Sequence, residues 1–369
     1  MTPDNPPCGD PPRVLRVKLL IWRPERSLAH LVCWLWGAPT ARRAFRLATR
    51  LYAATHFQAR WRRCRFLIRT LWYGRTSARW FAFVDANAFR RRLARLQPEW
   101  AEKPHRPYRR YDLDADTRLD GLVSHGLAIE RLGWQQLVLR LSAQPLTIAR
   151  FSGKDEVERW LELAHAGQFM KEGELCLHLC CGGRRLYSAA FSLIGAPAVP
   201  TSLAVSALDI GCLQGPDDPT ARDLVRSTTK ALHGLRPRDL MVTALKAFAG
   251  AVAAPSLVGV TGSRHVYRHW RKRRAFAFDY DTFWAEHAGR PRDDGDYELS
   301  AVCTPKPIDQ VPSNKRAEAR RRQALAADIR CQISSALDGH GPAVRGPAVV
   351  AQLPLAESHQ ALELSFETF

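Results

Sequence analysis

The sharpest setting for chemistry in this chain is the run Leu208-Asp209-Ile210-Gly211-Cys212-Leu213-Gln214-Gly215, an apolar strand that ends in Gln-Gly. It leads through Pro216-Asp217-Asp218-Pro219 into a helical pattern, with Asp218 suited to the N-cap and Pro219 to the first turn. Exposed amides at such a turn can hold an anionic group. The two aspartates on the approach oppose a simple phosphate cradle and favour a capped turn. Arg226, Lys230 and His233 follow at i, i+4 and i+7, and so share one helical face. Together with Gln214, Gly215 and Arg236 they are the candidate ligand-binding residues, suited to a phosphate or carboxylate. The candidate catalytic pair is His265, just after Gly259-Val260-Thr261-Gly262-Ser263, and Asp279, beside Tyr280-Asp281. Sites in α/β cores form at strand ends, so Gln214, His265 and Asp279 are expected to converge.

Other reactive side chains read as structural. Cys176, His178 and Cys180 alternate along a strand, but a fourth ligand and a Cys-x-x-Cys hook are missing, so no metal site is expected. His125 stands alone. No nucleophile elbow, Walker loop, His-Glu-x-x-His or Gly-x-Gly-x-x-Gly occurs. The nine cysteines are scattered and odd in number, which suits free thiols better than a disulfide framework.

These residues need elements to hold them. The spacing predicts helices over 39–57, 58–73 and 76–96; the second puts Trp61, Cys64, Ile68 and Leu71 on one face. A linker-like, proline-containing stretch spans 97–120. Strands are expected over 136–141 paired with 147–151, then a hairpin of 173–181 with 186–194, then 203–213. Helices over 219–233 and 238–253, a strand over 256–260, a short helix over 263–271, a strand over 275–279 and a helix over 316–337 complete the pattern. The fold class is therefore α+β: a basic N-terminal helical region followed by a mixed sheet with helices. The expected divisions are an extension (1–40), a basic helical region (41–120), an α+β core (121–300), a basic helix (301–337) and a tail (338–369).

Charge is unevenly placed. The 369 residues carry 55 Lys+Arg and 36 Asp+Glu, a formal +19. Residues 1–110 hold 24 of the basic and 6 of the acidic groups, so this third carries +18 and the rest +1. Arginine outnumbering lysine can reflect genome composition, but codon bias does not confine charge to one end. Arg42, Arg43, Arg46, Arg50, Arg60, Arg62, Arg63 and Arg69 are the candidate anionic-surface residues. The apolar run 27–38 is too short to span a bilayer and reads as a buried helix. No secretory signal or transmembrane segment is expected, and the chain reads as cytoplasmic, peripheral at the inner membrane if its charge docks there.

Several ordered motifs carry a resemblance: Arg106-Pro107-Tyr108 followed by His125, Glu172-Gly173-Glu174-Leu175, Ile210 to Gly215, and Thr229-Lys230 with His233-Gly234-Leu235-Arg236-Pro237. Gly259-Val260, His265-Val266, Asp279-Tyr280-Asp281, Phe283-Trp284 and Ser313-Asn314-Lys315-Arg316 leading to Arg320-Arg321-Arg322 extend it. Over roughly 41–337 the chain resembles the VirK/YbjX family of Gram-negative bacteria, with Asn314 where the family pattern has Lys. The resemblance implies a role in virulence, envelope integrity or tolerance of cationic antimicrobial peptides, with no assigned molecular activity.

Three functions compete. The first is an accessory factor whose basic helices dock on an anionic membrane surface or other polyanion, with no cofactor. The second is an acyl-CoA-dependent acyltransferase, because the later strand and helix order is similar to a GNAT-type core. Gln-Gly-Pro-Asp-Asp departs from the basic, glycine-rich loop of such enzymes. The third is nucleic-acid binding through basic helices bearing Trp61, Trp72 and Trp80, although aromatic residues at helical spacing usually belong to a core.

Overall fold

The computed structural model describes residues 38–53, 57–195, 204–216, 219–268 and 278–340. The run 27–38 up to its last residue, Asp217 and Asp218, most of the expected strand 275–279 and nearly all of the tail lie outside the described residues. The chain forms two compact units, residues 1–82 and 83–369.

In the first unit, α1 (Ala38–Leu51), α2 (Phe57–Trp72) and most of α3 (Gly74–Asp85) make up the described part. Among its described residues Ala44, Ala48, Ala59, Phe66, Thr70, Thr76, Ser77, Trp80 and Phe81 are buried. The Ser77 hydroxyl donates to the Thr70 carbonyl at 3.0 Å, and the Arg43 guanidinium donates to the Phe81 carbonyl at 2.9 Å. The expected helix over 76–96 is two helices. Asn87 accepts from the Phe89 amide at 2.8 Å and caps a new one, α4 (Ala88–Leu96).

The second unit is built on one eight-stranded mixed sheet. Its order is β1 (Leu146–Ser152), β2 (Glu158–His165), β3 (Leu175–Cys181), β4 (Arg184–Gly195), β5 (Val205–Gln214), β6 (Ser256–Gly259), β8 (Tyr297–Ser300), β7 (Arg290–Pro291). All neighbours are antiparallel except β5 and β6. Every residue of β3 is buried, so both faces of the sheet are covered at that strand. Gly182 and Gly183, both at positive φ, make the tight β3–β4 turn. α7 (Pro219–Ala231) and α8 (Pro237–Ala251) form the crossover from β5 to β6. Phe248 of α8 packs edge-on against Phe191 of β4 at 5.0 Å and against Trp134 at 5.7 Å. α10 (Arg316–Asp338) lies on α8 and β1. Its Gln332 side chain accepts from the Arg150 amide at 2.8 Å and donates to the Arg150 carbonyl at 2.9 Å, which covers an edge strand's open backbone.

Three expectations fail here. Residues 136–141 are not a strand but α6 (Gln135–Leu141), in which Leu137, Val138, Leu139 and Leu141 are all buried. Gln136 and Arg140 are exposed, but a run of two turns is too short for helical spacing to stand out from that of a strand. The partner of β1 is instead β2, at 158–165. The stretch 97–120 is no linker: it holds a 3-10 segment (Pro98–His105) with Trp100 buried, and the start of α5 (Ala115–Arg131), capped by Asp114. No helix forms within the described part of 263–271, where residues 262–264 make a turn and His265 bridges to Arg110.

One irregularity sets up the site. Ser192 faces Asp209, Phe191 faces Ile210 and Ala190 faces Cys212, so Gly211 is an extra residue on β5. Strict alternation would send Asp209 and Cys212 to opposite faces; the bulge brings both to the face of Ala190 and Ser192. A Cβ on Gly211 would lie 1.8 Å from the Glu172 carbonyl oxygen, so only glycine fits.

Candidate functional site

On that face a strap, residues 106–112, crosses the sheet. Its backbone is anchored by Arg109 N–H donating to the Lys171 carbonyl at 2.7 Å and Tyr111 N–H donating to the Arg264 carbonyl at 3.1 Å. Tyr108 is buried, its hydroxyl 3.0 Å from the Ser192 hydroxyl. Below the strap, Asp209 is buried and forms ion pairs with Arg109 and, at 2.8 Å, with Arg110. Arg110 also pairs with Asp296 at 2.8 Å, Arg264 with Asp296 at 2.9 Å, and Arg264 with Asp112 at 2.9 Å. Three guanidiniums meet three carboxylates. Burial pushes the Asp209 carboxyl up, but Arg109 and Arg110 outweigh it and hold it below the usual range. At Asp296 burial wins over Arg110 and Arg264, and the carboxyl lies above its ordinary value.

A second buried group sits beside the bulge. His265 is buried, stacks on Tyr280 (5.6 Å between centroids, 20° between planes) and places Nε2 3.5 Å from Glu172 Oε1. Its Nδ1 accepts from the Tyr267 amide at 3.3 Å, so the neutral ring carries its proton on Nε2, toward Glu172. Burial pushes the Glu172 carboxyl up to about 8, although the neighbouring Cys212 thiol and Lys171 act in the opposite direction. Burial, with Arg110 nearby, drives His265 down to about 3. At neutral pH the pair is thus a carboxylic acid facing a neutral imidazole. The arrangement can hold a proton away from water.

A third group involves Glu174. Lys103 Nζ lies 2.5 Å from its carboxylate and the Trp100 indole donates to it at 3.1 Å. The adjoining cleft, lined by Glu102, Lys103, Arg106, Tyr108, Met170 and Lys171 among others, encloses about 30 Å³, room for one water. His125 accepts from the Leu193 amide at 3.1 Å, and burial lowers it to about 4. Cys176 packs with Ala166, Phe169, Ala190 and Cys212, while His178 Nδ1 is 2.8 Å from the Ser188 hydroxyl.

The expected convergence of Gln214, His265 and Asp279 takes a different form. His265 is inside, but Gln214 and Asp279 are exposed, and Asp279 caps α9 (Tyr280–Glu286) by accepting from the Thr282 amide at 3.1 Å and hydroxyl at 2.6 Å. Tyr280 links the regions: its hydroxyl accepts from the Leu213 amide at 2.9 Å. Gly215 lies against the Tyr187 ring. Arg226 is exposed beside Asp223, Lys230 is exposed, and Arg236 is 3.7 Å from Glu286. His233 takes a positive φ of 55° at the end of α7, where its carbonyl accepts from Arg322. Sequence reading quoted Asp209 and Glu172 within motifs without giving them a role, and missed Arg109, Arg110, Asp112, Arg264 and Asp296.

The first unit offers a surface of another kind. Residues 38–84 contain eleven arginines and no aspartate or glutamate. Arg42, Arg46, Arg50, Arg60 and Arg62 are exposed, as are Arg65, Arg75 and Arg79. Arg43, Arg63 and Arg69 are half-buried; Arg63 donates to the Tyr52 carbonyl at 2.6 Å. Trp80 is buried, but Trp61 and Trp72 are more than half exposed.

Residues 55–335 match the family model described as "Protein of unknown function (DUF535)". The chain belongs to that family. It is similar to "Uncharacterized protein YbjX" of Escherichia coli K12, 29% identical over 282 residues, which are 75% of this chain and 84% of that protein. An uncharacterized protein of Haemophilus influenzae is 27% identical over 213 residues, 57% of this chain and 68% of that one. A shorter match, 43% over 54 residues, covers 15% of this chain and 24% of "Membrane protein LapB" of Mannheimia haemolytica. The YbjX relationship expected from the motifs is borne out.

The raised Glu172 carboxyl sets a pH signature for this DUF535 chain. The unfolded chain ionises at about 4.5 and the folded one at about 8, so the fold holds the extra proton between them and stability falls as pH rises through that window. Relative to Glu172→Gln, the native chain is expected to lose up to about 1.4 kcal/mol per pH unit between pH 6.5 and 8. Urea unfolding of both chains across this range checks it; parallel curves contradict it.

Proposed function

We propose that this protein is an accessory factor of the bacterial envelope that docks on a negatively charged surface through its first helical unit. The observation that carries the reading is the eleven arginines without a single acidic residue over 38–84. Internal carboxylates in this stretch cannot cancel the charge, and eight of the arginines are exposed. In the second unit, by contrast, the guanidiniums of the buried cluster, Arg109, Arg110 and Arg264, are matched by aspartates. Kinship with the VirK/YbjX family supports an envelope role, in virulence, envelope integrity or antimicrobial-peptide tolerance. One relative is named a membrane protein, in keeping with such a role. No helix among the described residues is long and apolar enough to cross a membrane. In this reading the contact is peripheral, at the cytoplasmic face of the inner membrane. Vesicles of phosphatidylglycerol and phosphatidylethanolamine should bind the full chain and phosphatidylcholine vesicles should not. Affinity should fall about tenfold or more between about 0.1 M and 0.5 M salt as the Debye length shortens. Salt-independent binding, or equal binding to neutral vesicles, contradicts the reading.

A second reading, acyl-CoA-dependent acyl transfer, has one observation in its favour. β5 and β6 are parallel neighbours whose pairing ends at Ile210 and Gly259, while β5 continues to Gln214 and leaves a wedge beyond. The Tyr280 hydroxyl occupies the Leu213 amide there, so that donor is not open to a thioester carbonyl unless Tyr280 moves. Calorimetry with acetyl- and palmitoyl-CoA should then give heat that Tyr280→Phe alters. No heat with either removes this reading.

A further inference from the structure

α2 inverts the usual order of an amphipathic helix. Ala59, Phe66 and Thr70 form its buried face, and all three are small or singly aromatic. Phe57, Trp61, Cys64, Ile68, Leu71 and Trp72 fall at i, i+4, i+7, i+11, i+14 and i+15, within an arc of about 100° on the opposite side. That side faces outward: Phe57 is 82% exposed, and Trp61, Ile68, Leu71 and Trp72 are 55–61% exposed. Arg60 borders the stripe on one edge and Arg65 on the other, both exposed. A continuous exposed apolar stripe of this kind marks an interaction surface.

The chemistry around the stripe selects its occupant. We infer that α2 is an in-plane anchor that sinks its Phe57–Trp72 stripe into the headgroup and acyl boundary of an anionic phospholipid bilayer. The inference rests on the reading of the first unit as an anionic-surface dock and adds that the surface is lipid, entered rather than touched. At about 24 Å and with five arginines the helix is too short and too charged to span, but it has the makeup of one that lies in the interface. Arg60 and Arg65 can lay their methylene stems along the stripe and raise their guanidiniums to lipid phosphates. Trp61 and Trp72 suit the same interfacial depth. A second copy of the unit would instead bring two carboxylate-free arginine clusters together. A nucleic acid would leave Ile68 and Leu71 in water.

Brominated phosphatidylglycerol vesicles, with the full chain, test it. Tryptophan fluorescence should be quenched by lipid brominated near the headgroup end of the acyl chain, and less so in Trp61→Phe/Trp72→Phe. Ile68→Ser/Leu71→Ser should bind vesicles at least tenfold more weakly, keep its retention on heparin and keep the native melting profile. If vesicles bind but bromolipid does not quench and the serine variant binds like the native chain, insertion is overturned while electrostatic docking stands; the stripe then belongs to a protein partner or to the apolar run 27–38. If the chain binds no anionic vesicle, the docking reading itself fails. Should the serine variant lose its fold, the quenching of the native chain by bromolipid decides alone.

Discussion

A carboxylate sealed inside a sheet face has to be answered by cations, and Asp209 is answered twice. Arg109 and Arg110, adjacent in the strap, both reach it. Through Arg110 the contact passes to Asp296 and on to Arg264 and Asp112. One chain of charges thereby ties together four segments that lie far apart in sequence: the strap, β5, the turn after β6 and the approach to β8. Arg109 takes a left-handed backbone conformation, φ 61°, and the extra residue Gly211 turns Asp209 and Cys212 to the same face. Both local distortions serve the same contact.

The two units handle charge by opposite rules. In the second, buried guanidiniums and carboxylates balance, and the remaining reactive groups are neutral: Glu172 keeps its proton and His265 stays unprotonated. In the first, no carboxylate is present over 38–84 and the arginines point largely to solvent. Self-repulsion within such a unit is relieved by contact with an opposite charge. This contrast is why the functional reading rests on the helical unit rather than on the polar core, where Arg109, Arg110 and Arg264 are engaged by Asp209 and Asp296.

Much of the sheet was legible because its strands are apolar runs closed by strong turn signals. The β3–β4 hairpin, β5 and the α7–α8 crossover stand where their glycines and prolines indicated. α6 was misread because an apolar run of two turns does not separate helix from strand by its period, and β2 was missed because Glu158, Arg159 and Glu162 hide its alternation. The strap was misread for a different reason. Prolines 98, 104 and 107 look like linker punctuation, and nothing local reveals that Arg109 and Arg110 will find Asp209 a hundred residues away. His265 was singled out from its strand-end position, but its partner Glu172 required the bulge at Gly211, a three-dimensional fact. The stripe on α2 was visible as a pattern; that it faces outward was not, since periodicity gives a face but not the side on which the core lies.

The claim that buried charge closes the second unit is tested most directly by urea unfolding of Asp209→Asn. Removing the charge at this fully buried position leaves Arg110 with Asp296 alone and the part-buried Arg109 short of a counter-charge, and the predicted loss is about 3–5 kcal/mol. A loss below about 1 kcal/mol would mean that the strap is held by backbone contacts and packing, and that the Asp209 cluster is not what the fold depends on.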